Sequence, residues 1–132
     1  MISINNLTRI PIEKKFLEKT ANQVLRGEKK KIKELSIALV GQERIRELNK
    51  RYRGKNRPTD VLSFGDSNDL AEIVICLQEV KKNANKFKIG FKKELARVLI
   101  HATLHLLGYE HEGLKKEAIA MGKKEEQYLS NI

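Results

Sequence analysis

Tryptophan is absent from the chain, and aromatic residues make up only 5% of it. A core must therefore be built mostly from Leu, Ile and Val. Cysteine occurs once, at Cys76, which excludes an intramolecular disulfide and a Cys-based zinc site. Cys76 ends the apolar run EIVIC, so a buried, inert thiol is expected there. One buried cysteine also fits a reducing compartment. No apolar run approaches the roughly 20 residues of a membrane span. The start MISINNLTRIP lacks a basic segment followed by an apolar stretch, so no secretory leader is read. A cytoplasmic protein with no membrane partner and no disulfide partner is the expectation.

What is present is positive charge. The 27 Lys and Arg outnumber the 17 Asp and Glu, for a net charge of +10. Such a balance favours polyanions, nucleic acid or an anionic membrane surface. A chain that merely solvates its surface with lysine would carry the same charge, so charge alone does not decide. With 132 residues and 40% apolar composition, one domain spanning 1–132 can bury a core.

The apolar spacing predicts the order βαβαββααα. ISINNL reads as a short edge strand with Ile2 and Ile4 on one face. Residues 12–27 read as a helix stopped by Gly27, ELSIALV as a strand, and QERIRELNKRYR as a polar helix. In that polar helix Ile45, Leu48 and Tyr52 are expected to face inward. DVLSF and AEIVIC are close enough to pair as a hairpin. Helices follow over about 77–88, 91–107 and 114–129. The expected fold class is α+β, one domain. A mixed, roughly four-stranded sheet packs with about five helices, and a central helix carries the metal ligands in a zincin-like arrangement.

All three histidines fall within HATLHLLGYEH, residues 101–111. His101 and His105 stand one helical turn apart, on one face, and can converge on one ion. His111 would lie about 9 Å beyond His105 on an unbroken helix, so the helix must end between them. Gly108 is placed to end it, because glycine tolerates the left-handed conformation. The chain can then fold back through Tyr109 and Glu110 and present His111. Three ligands leave a fourth position open, which is the catalytic arrangement. The spacing matches the H-E-x-x-H-x-x-G-x-x-H of metzincin proteases, except that Ala102 stands where their general base is. This argues against peptide hydrolysis by that route and leaves metal binding intact.

Three stretches together resemble the YbeY endoribonucleases of bacterial rRNA maturation. The family's H-G-x-L-H-L-x-G-Y-D-H reads HATLHLLGYEH here, with Ala102 and Glu110 as departures. Its R-G-K-D-x-P-T-D-V-L-S-F-P reads RGKNRPTDVLSFG from Arg53 to Gly65, with Asn56 and Gly65 as departures. Its L-G-D-I-x-I reads LAEIVI, with Ala71 and Glu72. The resemblance implies a single-strand-specific, metal-dependent endoribonuclease acting at the 3′ end of the small-subunit rRNA and in ribosome quality control. The implied partners are single-stranded RNA, rRNA and the small ribosomal subunit.

Carried over by position, His101, His105 and His111 would bind one Zn²⁺ per chain, with another divalent transition metal as the alternative. Arg53 matches a catalytic arginine. It could stabilise the charge that gathers in a pentacovalent phosphorus transition state. The base stays open between Glu110, Asp60 and the water on the metal. Arg51, Lys55 and Arg57 fit phosphate contacts that position RNA without reading its sequence. Two other readings remain: a metallohydrolase of a non-RNA substrate, and a non-catalytic ribosome-associated metal-binding protein.

Overall fold

A computed structural model describes residues 1–65, 70–109 and 115–132. The elements are β1 (Ile2–Asn6), α1 (Lys14–Gly27), β2 (Glu34–Val40), α2 (Gln42–Arg53), β3 (Val61–Gly65), β4 (Leu70–Cys76), α3 (Leu77–Phe87), α4 (Phe91–Leu106) and α5 (Lys115–Leu129). This is the α+β order expected from the spacing. The four strands form one mixed sheet in the order β1-β2-β4-β3. β1, β2 and β4 run parallel, and β3 is antiparallel to β4. The expected hairpin forms, with Val61 opposite Ile75 and Gly65 opposite Ala71.

Alternation in the strands divides the core between the two faces of the sheet. Leu35, Ile37 and Leu39 of β2 and Ala71, Ile73 and Ile75 of β4 face α1, α3 and α4. Val40, Val74 and Cys76 face the opposite way, onto Ile45 of α2. Burial pushes the Cys76 thiol pKa up, as an inert thiol requires.

α4 is the central helix. It packs against α1, α3, α5, β3 and β4. Leu95, Val98, Leu99, Ala102 and Leu106 join the main core, while Ile100 and Leu104 pack with Met121 and Tyr128 of α5. A helix apolar on so much of its circumference belongs inside a domain. Among the described residues, no helix is long and apolar enough to cross a membrane.

One expectation is corrected here. Tyr52 is 58% exposed rather than turned inward, and its ring meets Phe64 edge-on at 5.2 Å. The α2 face is short of apolar partners beyond Ile45 and the half-buried Leu48, so the last turn projects past the sheet.

Candidate active site

Arg97, His101 and His105 are spaced by four residues and share one face of α4. All three are half-buried and line a groove of about 750 Å³ between α4, β3 and the end of α2. Arg53, the last residue of α2, lines the facing side. α2 stops just beyond it because Gly54 takes the left-handed conformation, φ 70°. Buried Asn49 braces the following loop by donating to the Arg57 carbonyl at 2.9 Å.

His101 and His105 are each oriented from outside the groove. Nδ1 of His101 meets the carboxylate of Glu125 on α5. Nδ1 of His105 lies 3.2 Å from the Tyr109 carbonyl oxygen. Both acceptors require a proton on Nδ1, so in a neutral ring Nε2 carries the lone pair. Metal-binding histidines use this arrangement, with the second nitrogen held by a carboxylate or a backbone carbonyl. The donor set thus fits a divalent transition ion on the Nε2 atoms. His111 and Glu110 lie outside the described residues, and among those described no group of three His, Cys, Asp or Glu forms a ligand cluster.

The turn after α4 follows the expected device as far as Tyr109. Gly108 has φ 105°. Its N–H donates to the His105 carbonyl at 3.0 Å, and the Tyr109 N–H donates to Leu104 at 3.2 Å. This is a Schellman stop. It turns the Tyr109 carbonyl back onto the His105 ring.

Tyr109 is held in turn by Glu28, just beyond α1. The Tyr109 hydroxyl donates to Glu28 Oε1 at 2.6 Å, the Tyr128 hydroxyl donates to Oε2, and Lys124 Nζ lies 3.3 Å away. Burial alone would raise the Glu28 carboxyl, but donation from Tyr109, Tyr128 and Lys124 outweighs it and holds the pKa below the usual range. The Tyr109 phenol is pushed up to about 12, chiefly by its bond to Glu28.

Arg97 is pinned. Its Nε and Nη2 donate to the two oxygens of fully buried Glu94 at 2.8 and 2.7 Å, and this pairing raises its pKa further. Asp60 also lines the groove, with Asn83 donating to it at 3.3 Å and Arg97 3.9 Å away. Arg51, Lys55 and Arg57 are exposed and do not line the groove; Arg51 lies over the Tyr52 ring at 5.6 Å. Ala71, a departure from the family motif, sits inside β4 in the core rather than in a loop.

Sequence reading missed Arg97, Glu125 and Glu28. Arg97 had a signal, four residues before His101 on the same helical face. The two glutamates are 24 and 81 residues from the groups they hold, and no spacing rule reaches that far.

Comparison with known proteins finds one family. The model of the family described as Endoribonuclease YbeY matches residues 3–132. A Persephonella marina protein named Endoribonuclease YbeY is 37% identical over 129 residues, covering 92% of this chain and 84% of its own. A Thermosipho melanesiensis protein of the same name is 40% identical over 119 residues, covering 89% and 86%. The solution structure of TM1509 from Thermotoga maritima superposes with a TM-score of 0.70 at 35% identity, covering 98% of this chain and 87% of that one.

Proposed function

The chain belongs to the YbeY endoribonuclease family, and on that premise we propose that it is a metal-dependent hydrolase of single-stranded RNA. Its proposed role is rRNA maturation at the 3′ end of the small-subunit rRNA, together with ribosome quality control. The observation that carries the chemical part is the pairing of His101 and His105 in one groove with Arg53, each ring aligned through Nδ1. The rRNA target rests on the family resemblance.

In this reading His101, His105 and His111 hold one zinc or a related divalent ion. When bound, the ion supplies a water of pKa near about 7 and polarises a phosphoryl oxygen. The chain's own residues do the rest. Arg53 offers a forked donor to the oxygens of the phosphate under attack. Arg97, fixed by Glu94, holds a rigid guanidinium on the α4 wall whose charge is balanced by the Glu94 carboxylate. Asp60 keeps the Arg97 side of the groove in place through its contacts with Asn83 and Arg97.

The exposed Tyr52 ring beside Phe64 gives unstacked bases a surface to lie on, which favours a single strand over a duplex. Ala102, 2% exposed, places no base after His101, which disfavours the peptide-hydrolase reading.

The test combines elemental analysis with cleavage of a single-stranded RNA for wild type, His105→Ala and His111→Ala. About one divalent ion per chain and cleavage are expected in wild type, with both lost in each variant. Metal-loaded wild type that leaves RNA intact, or a His105→Ala protein that cleaves as well as wild type, would reject the proposal.

A further inference from the structure

A dense run of positive charge away from the catalytic groove lies between α1 and β2. Residues 26–33 read RGEKKKIK, five cations in eight positions against 27 in 132 for the whole chain. Arg26, Lys29, Lys30, Lys31 and Lys33 all line a second groove of about 870 Å³. Its lining includes the buried apolar residues Leu25 and Ile32.

This charge is not answered locally. Some exposed cations elsewhere do pair within a helical turn, as Arg44 does with Glu47 and Arg46 with Glu43. Among the described residues, none of the five side chains has a carboxylate partner. The one acid within the segment, Glu28, is turned away to Tyr109, Tyr128 and Lys124. Glu18 is the only acid in the groove's described lining.

Lys30 also reaches the turn after α4. It lines a smaller groove of about 310 Å³ with Leu107, Gly108, Tyr109 and Glu28, whose carboxylate is taken up by Tyr109, Tyr128 and Lys124. That is the turn whose Tyr109 carbonyl holds His105.

We propose that the Arg26–Lys33 groove is a second RNA-backbone site. It takes the flank of a single strand whose scissile part lies in the histidine groove, and the strand passes over Lys30 at the α4 turn. The inference rests on the function proposed above. Unpaired cations attract phosphates by releasing the strand's counterions. No aromatic residue is among the described lining residues, so the site grips backbone without stacking bases and adds affinity without sequence preference. The two grooves divide the work: Tyr52 and Phe64 meet bases at the cut, and the lysines hold the flank.

The test uses a variant with Lys29, Lys30, Lys31 and Lys33 all changed to Gln, and a second with all four changed to Arg. Binding of 2′-O-methyl RNA is followed by fluorescence anisotropy across a salt series. One oligonucleotide has about 4 nucleotides and one about 16, the range of single-strand site sizes. The Gln variant should bind the longer strand about tenfold or more weakly, with the slope of log K against log salt flatter by about two. It should bind the short strand, and cleave unmodified RNA of the same length, as wild type does, and the Arg variant should regain the long-strand affinity.

Unchanged long-strand binding overturns the proposal. So does equal weakening on both lengths, or loss confined to phosphatidylserine vesicles. If the Gln variant melts early by circular dichroism, the exposed single change Lys31→Glu carries the same comparison. Cleavage of the short RNA by wild type tests the catalytic reading separately, so the two ideas fail in different assays.

Discussion

The Tyr109 hydroxyl donates to Glu28 at 2.6 Å across 81 residues of chain, tying the turn after the histidine helix to the end of α1. The Glu28 carboxyl is held below its ordinary value near 4.5, since its three donors outweigh the upward push of burial. A carboxylate lowered in this way stabilises the fold fully above its unfolded pKa. That contribution is lost as pH falls through the lowered folded value. Glu28→Gln should cost about 1–3 kcal/mol at neutral pH. Urea melts should then show a flatter stability profile from pH 5 down to pH 3 than wild type. An unchanged acid limb would mean that the Glu28 cluster does not anchor this turn.

Much of this architecture is written in local spacing. The alternation Leu35, Ile37, Leu39 and the apolar surface of α4 gave both elements and their burial, because each pattern follows the period of its own backbone. Gly108 marked the helix stop because glycine takes the left-handed conformation without strain. Tyr52 went wrong for a physical reason: it sits on the apolar stripe of α2, but its ring is met edge-on by Phe64 and overlaid by the exposed Arg51 rather than packed into the core. The ligand face was legible as His101 and His105. The groups that orient those rings were not, because Glu125 comes from α5 and the Tyr109 carbonyl reaches His105 only through the Gly108 turn.

Glu125 should therefore matter to the metal without being one of its proposed ligands. Its carboxylate fixes the proton of His101 on Nδ1. Glu125→Ala should lower metal affinity by about 10–100-fold in a chelator competition, with helical content by circular dichroism retained. Glu125→Gln keeps an acceptor oxygen and should lose less. Equal affinities in wild type and Glu125→Ala would show that His101 needs no such brace.

Arg53 separates chemistry from architecture. It is exposed, so its replacement should leave the melting temperature and the metal content unchanged. Arg53→Lys keeps the charge but loses the planar fork. Single-turnover cleavage should slow by about 100-fold or more, the scale of losing one donor to a developing oxyanion. Binding of uncleaved RNA should weaken much less. A rate within a factor of two of wild type would remove Arg53 from the reaction.

Gly108 joins the fold to the site. Among the described residues nothing lies within 4 Å of a Cβ built there, so the cost expected of Gly108→Ala is one of backbone conformation. At φ 105° an L side chain is strained, by about 1–2 kcal/mol in the left-handed region. Gly90 provides the control: its φ is −68°, its Cβ position is equally open among the described residues, and Ala there costs no backbone strain, only the up to about 1 kcal/mol by which glycine is preferred to alanine at the N-cap of α4. The two alanines thus differ in the backbone they must occupy and not in the space around them. Relieving the strain at Gly108 would rotate the Tyr109 carbonyl off His105, so Gly108→Ala should lose metal affinity along with stability. Gly90→Ala should keep its metal affinity. Thermal melts with and without added metal separate the two effects, and equal metal-induced shifts in both variants would mean that the turn stops α4 without shaping the ligand set.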